Sequence, residues 1–342
     1  MFRVFATMSE RMPLSEVASH AQRAEALGYD GLNVPEAVHD GLAAATLALH
    51  VTSRIRVATS VLVAFPRSPM TVAHAAWDLQ AMSGGRFELG LGSQVRGNIV
   101  GRYSTPWTAP VPRMREYVNA LRAIFRCWQE GGPLSFEGEH YQFTRMQPFF
   151  NPGPIEAPDI PIYLGAIGPA MTALAGEVAD GMMCHPSNTA PRYITEVVRP
   201  RLERGESRPG GKGRRTRLMV GSFVATGRDR DAAVKDREHA REHLGFLYST
   251  PAYWPSLEMF GWREVGEALH AMSREGRWAE MPAAVSEDML DAFVPTAPYA
   301  EIADLLRERY AGESDWITFP MPEDPGEDAA VAEVIASLRA GS

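Results

Sequence analysis

Two cysteines in 342 residues, Cys127 and Cys184, are too few for a disulfide framework and lack the CxxC spacing of a redox or zinc pair. No apolar stretch is long enough to span a bilayer, and the opening MFRVFATMSER lacks the apolar core of a secretory signal. A cytoplasmic location is expected. Positive charge is not in excess either. With 34 basic and 42 acidic residues the formal charge is −8, so nothing global attracts nucleic acid or an anionic membrane. The densest basic run, RPGGKGRRTR at 208–217, holds three glycines and a proline and reads as a solvated loop before an anion site. There is no GxGxxG fingerprint, no GK[ST] phosphate loop and no glycine-flanked serine elbow. His74, His140 and His185 lie on separate segments with no metal-ligand spacing, so no metal is expected. A small-molecule partner is what remains.

What is present is alternation, in a chain whose 45% hydrophobic and 22% charged content is ordinary for a globular core. Candidate strands at 2–6, 31–34, 55–63, 86–91, 160–164, 181–184, 218–225 and 316–319 are each followed by a helical stretch. The first helix, LSEVASHAQRAEAL at 14–27, ends at Gly28, a suitable C-cap. Residues 92–109 read as a polar loop, and SFEGEHYQF at 135–143 as a small hairpin. Residues 249–297 break the alternation and carry Trp254, Trp262 and Trp278. About eight strand–helix units predict an α/β fold, a TIM (β/α)8 barrel spanning 1–342 as one domain, with a helical insertion at about 249–297 at the C-terminal face. A doubly wound sheet with a lid is the alternative. In both, ligands sit at the C-terminal ends of the strands.

Several of those ends carry groups capable of chemistry. NVPEAVHD places Glu36, His39 and Asp40 in the loop after strand two. A carboxylate beside an imidazole is a proton-transfer pair, the acid orienting the ring and raising its pKa. Asp40 reads instead as an N-cap for the helix opening at Gly41, while His39 stays open between chemistry and bystander. IYLGAIGPAMTALAG runs from a strand through Gly165 and Gly168 into a helix whose first residue is Pro169. Such a start exposes backbone N–H groups to an anion, and is also a common way simply to begin a helix. His185 follows strand six and reads as a satisfied structural histidine or as one facing the barrel mouth. Trp77 and Trp107 fall near the top face.

Taken together, the chain resembles the luciferase-like monooxygenase superfamily and, within it, the F420-dependent oxidoreductases. The segments that carry the resemblance are LGYDGLNVPEAVHD, TSRIRVATSVLVAFPRSPMTVAHAAWDLQAMSGGRFELGLG, IPIYLGAIGPAMTALAGEVADGMM and DAFVPTAPYAEIADLLRERY. The resemblance implies a deazaflavin or flavin ring at the C-terminal face. It implies that Ser60–Val61 lies where relatives hold a non-proline cis peptide, and that Glu36, Ser93 and Gln94 line the cofactor cleft. It makes Gly165, Ala166, Ile167, Gly168 and Pro169 the phosphate-binding turn. Two positions depart from the sugar-phosphate dehydrogenases of this group: Ala37 stands where they have a histidine, and Val95 where they have a glutamate.

The function expected from the resemblance is hydride transfer between coenzyme F420 and a small organic substrate, apolar or aromatic, with Glu36 and His39 as catalytic candidates. Trp107, His185 and Trp262 are expected in the substrate pocket, and Arg96, Arg102, Arg113 and Arg115 either line an exit for the acidic F420 tail or decorate a polar loop. FMN is the alternative cofactor, in a two-component monooxygenase fed by a separate reductase. A non-catalytic flavin- or deazaflavin-binding protein is a further alternative. Homodimers are common in the superfamily, and a homodimer is expected on that ground.

Overall fold

The computed structural model describes residues 2–211 and 213–340. Eight parallel strands close into a barrel: β1 Arg3–Thr7, β2 Gly31–Val34, β3 Arg56–Thr59, β4 Phe87–Gly92, β5 Ile162–Ala166, β6 Gly181–Cys184, β7 Arg217–Val220 and β8 Trp316–Thr318. Sequence neighbours pair in parallel around the ring, and β8 pairs back onto β1 in the register Val4↔Ile317. The barrel prediction holds. Most strands are buried on both faces, as parallel strands under a coat of helices must be, which is why they read as near-continuous apolar runs.

The helices start and stop where local chemistry says they should. Helix Leu14–Leu27 buries Val17, Ala21, Ala24 and Leu27 on one stripe and ends at Gly28, φ 88°, whose N–H reaches the Ala24 carbonyl. Helix Gly41–Val51 is capped by Asp40, which accepts the amides of Leu42 and Ala43 at 2.9 Å. The hairpin Phe136–Glu137 / Gln142–Phe143 forms as expected, its turn held by Glu116, which accepts the amides of Glu139, His140 and Tyr141.

Several expectations need correction. The run 55–63 is not one strand: β3 stops at Thr59, the Ser60–Val61 peptide is cis, and pairing resumes at Leu62–Val63 against Leu91 and Gly92. The expected strand 218–225 ends at Val220, and Ala225–Gly227 pairs instead with Thr296–Pro298 outside the barrel. The polar stretch 92–109 contains a short helix, Arg96–Gly101. In the helix over 191–206, one π turn at Ile194–Val198 precedes Pro200, a residue with no N–H to continue the ladder. The basic run 208–217 is not simply solvated. Arg208 pairs with Glu177, Arg214 with Asp180 and Arg215 with Glu313, while its Lys212 lies outside the described residues.

Candidate functional site

Side chains alternate across a strand, so each barrel strand sends every second residue into the lumen. Phe5, Ala58, Tyr163, Met183, Met219 and Trp316 pack together there as the middle layer. Below them the lumen is closed by Glu88, fully buried, to which the Arg56 guanidinium donates, and by Arg217 lying over the Tyr163 and Trp316 rings at 5.4 Å. Burial pushes the Glu88 carboxyl upward against the pull of Arg56.

One step above the middle layer the same alternation brings in Thr7, Asn33, Ser60, Gly92, Gly165 and Thr318, and, one residue beyond their strands, His185 and Gly221. Only His185 and Asn33 exceed threonine in size. This is a shallow bowl at the C-terminal face, floored largely by backbone. Asn33 is 1% exposed; its Nδ2 reaches Thr7 Oγ1 at 3.5 Å and its Oδ1 has no hydrogen-bond partner. A buried acceptor without a donor is costly unless a ligand supplies one.

The glycines of β4 have a definite role. A Cβ on Gly90 would lie 2.0 Å from the Thr59 carbonyl and 2.8 Å from Met183 Sδ, and one on Gly92 would lie 2.5 Å from Val61 Cγ2. Both are glycine because β3 and its bulge already occupy the space a side chain would need. Gly165 faces the same Val61, at 3.2 Å. Val61 thus packs between Gly92 and Gly165 on top of the middle layer.

Three residues after Gly165, the helix Pro169–Val178 begins at Gly168, with no side chain capping it. Nothing lies within 4 Å of the Gly168 Cβ position, so this turn faces open space. The N–H groups of Gly168, Ala170 and Met171 there, with the positive end of the helix dipole, are of the kind that can hold an anion. Ala166 is buried and its carbonyl accepts from Asn188 Nδ2 at 3.2 Å, tying the turn to the loop after β6.

Glu36 does not contact His39 through a hydrogen bond. Its carboxylate takes Arg67 on both oxygens, at 2.6 and 3.0 Å, and the Val63 amide at 2.6 Å. Arg67 also holds Asp40 at 2.7 Å. Burial works against the Asp40 charge, but the Ala43 amide and Arg67 outweigh it and hold the carboxyl below its ordinary range. Glu36 is therefore a brace between the loop after β2 and the bulge of β3. His39 is half-buried, with no hydrogen-bond partner among the described residues.

Ser93 and Gln94 follow β4 at the rim, half-buried. Gln94 adopts φ 56°, and its Oε1 accepts from the Val95 amide and Asn98 Nδ2. The four arginines do not form one exit. Arg113 binds the Phe65 and Pro106 carbonyls and the Tyr141 hydroxyl, and Arg115 makes a bidentate pair with Glu177. Arg102 donates to the Ala37 carbonyl, which leaves the exposed Arg96 without a hydrogen-bond or ion-pair partner among the described residues.

Of the pocket candidates, Trp107 packs edge-on against Phe65 at 6.1 Å, and Trp262 stacks on Phe260 at 5.0 Å and against Phe293, within the insertion. The insertion residue that meets the bowl is Tyr253, stacked on His185 at 4.3 Å. Sequence reasoning missed Tyr253, Asn33, Thr7 and Thr318. Strand alternation could have found the last three, since all lie at the C-terminal end of a strand on its inward face.

The luciferase-like monooxygenase family model matches residues 1–314. An uncharacterised protein of Mycobacterium tuberculosis is 42% identical over 302 residues, 88% of each chain. The F420-dependent glucose-6-phosphate dehydrogenase of Nakamurella multipartita is 31% identical over 239 residues, 67% of this chain and 68% of its own. Among solved structures, the coenzyme F420 dependent tetrahydromethanopterin reductase of Methanopyrus kandleri superposes with a TM-score of 0.81, at 21% identity and 99% coverage of both chains.

Proposed function

The chain belongs to the luciferase-like monooxygenase family, and we propose that on this barrel it is an F420-dependent oxidoreductase acting on a small, largely apolar organic substrate. The observation that carries the reading is the sharing of one loop by two features. Gly165 lines a backbone-floored bowl suited to a flat ring, and Gly168 opens an uncapped helix suited to that ring's phosphate arm. The residues fit such a group. Val61 would back the ring, and Ser93 and Gln94 would border it. The N–H groups of Gly168, Ala170 and Met171 would hold phosphate. When bound, the deazaflavin supplies the hydride acceptor or donor.

The protein's own contributions are orientation and proton handling. Glu36, locked to Arg67, fixes the bulge on which the ring rests. His39, free of partners, is the group proposed to move the coupled proton, and unchanged turnover in His39→Ala would remove it from that role. The named activity of the Nakamurella relative does not transfer directly. This chain has Ala37, whose carbonyl is bound to Arg102, and an exposed Val95 where sugar-phosphate dehydrogenases carry histidine and glutamate.

Titration of the protein with F420 and, separately, with FMN, followed by ring fluorescence, tests the reading. Tight F420 and weak FMN binding is expected. The reverse would overturn it in favour of the family's other chemistry, a monooxygenase fed with reduced FMN by a separate reductase.

A further inference from the structure

The two nitrogens of His185 face different surroundings. Met183 points into the lumen, the backbone at His185 is still extended (φ −69°, ψ 148°), and so the His185 ring returns to the same side at the level of the bowl. Nδ1 is turned to its own loop. The Ser187 amide donates to it at 3.4 Å and the Ser187 hydroxyl lies at 2.9 Å. A ring nitrogen that accepts a backbone N–H carries no proton, so the proton of the neutral ring is on Nε2. Nε2 has no hydrogen-bond partner among the described residues, yet it is not among the polar atoms sealed from solvent. It opens on the bowl.

The ring cannot easily turn away. Tyr253 stacks on it with a tilt of 28°, and the loop beneath is anchored by the buried Asn188, which donates to the Ala166 carbonyl. Burial alone lowers its pKa to about 4, with no charged neighbour contributing. The titratable groups beside it, the Tyr253 phenol and the Cys184 thiol, are both raised by burial and stay neutral. His185 Nε2–H is thus a held, uncharged N–H donor at the level of the bowl.

We propose that His185 Nε2–H donates to a neutral oxygen on the substrate, next to the reacting carbon, which makes the substrate a carbonyl compound or the corresponding alcohol. A phosphate would meet a single neutral side-chain donor here, with no cation in the upper layer among the described residues. A hydrocarbon would leave the donor unmet. The choice of reacting carbon rests on the hydride-transfer reading above; the tautomer and the contact to oxygen do not.

The test is NMR of protein labelled with 15N-histidine, the His185 signals assigned by their loss in His185→Gln. The expected result is an Nε2–H tautomer that stays neutral from pH 8 to pH 5. Cyclohexanone is expected to shift the Nε2 resonance saturably while cyclohexane does not. By titration calorimetry, His185→Leu should raise the half-saturating ketone concentration at least tenfold over the parent, and His185→Gln, which keeps an N–H donor, should recover part of that loss. An Nδ1–H tautomer, a titration midpoint near the ordinary value of 6.5, or a resonance that treats the two probes alike would each overturn the proposal. F420 binding is measured on the same samples. Its absence in the parent protein would count against the cofactor reading and leave the histidine result standing.

Discussion

The Glu36 side chain is 5% exposed and Arg67 meets both of its oxygens. Removing the guanidinium in Arg67→Met would strand a buried carboxylate, at an expected loss of about 3–5 kcal/mol in urea unfolding. Glu36→Gln in the same chain should return part of it. Glycine 90 makes a sharper contrast with glycine 168. A methyl at Gly90 must displace a backbone carbonyl, so Gly90→Ala is expected to cost about 3 kcal/mol, the upper end of the overpacking range. A methyl at Gly168 meets open space at φ −72°, and Gly168→Ala should fall within about 0.5 kcal/mol of the parent by the same measurement. At this scale the sequence was a partial guide. It marked GLG as a place without side chains and suggested room for a ring. The atoms that take up that room, the Thr59 carbonyl and Val61, come from some thirty residues earlier, and no local pattern announces them. Arg67 was equally silent, because its partners Glu36 and Asp40 lie in another loop.

Between helices, two glycines set the distance from the helix Pro169–Val178 to the one that ends at Glu206. A Cβ on Gly205 would fall 1.8 Å from the Ala173 carbonyl, and one on Gly176 would fall 2.1 Å from that of Leu202. Gly205→Ala must push the pair apart, and the helix that moves is the one whose uncapped start faces the bowl. A lower Tm together with weaker F420 binding is expected. A lower Tm with unchanged affinity would mean that the helix start is held by the Asn188 anchor alone. Elements of this kind were largely legible. The helix at 14–27 and the strands at 31–34 and 181–184 fall where periodicity and capping put them. The helix Arg96–Gly101 did not, since six residues, most of them polar or small, are too few for a 3.6-residue period to register. Continuity of β-branched residues across 55–63 likewise concealed the break after Thr59.

For the whole molecule, two histidines couple stability to acid. His185 and His20 are both lowered, His185 by burial and His20 by burial and then Arg23. The folded state therefore binds fewer protons than the unfolded chain once pH drops below about 6.5, and stability falls as pH is lowered from there toward 4. Each histidine contributes at most about 1.4 kcal/mol per pH unit. Lowered carboxylates such as Glu177, held by Arg115 and Arg208, add their losses below the ordinary carboxylate range. Glu88, raised by burial, acts in the opposite sense, but equally in parent and variant. Urea midpoints of His185→Gln and the parent, compared between pH 6.5 and 4.5, should converge as pH falls, leaving the His20 share in both. Parallel curves would mean that His185 titrates normally in the folded protein.

A floor made of backbone offers selection almost nothing to vary. On the proposed function, the seat at the strand ends is defined by absent side chains at 92, 165 and 221, while Tyr253, the aromatic side chain stacked on His185 beside it, belongs to a separate stretch of chain. Grip and discrimination are thereby inherited separately. A chimaera carrying a relative's segment in place of 249–297 would keep the one and exchange the other, so the insertion is the replaceable part of this scaffold.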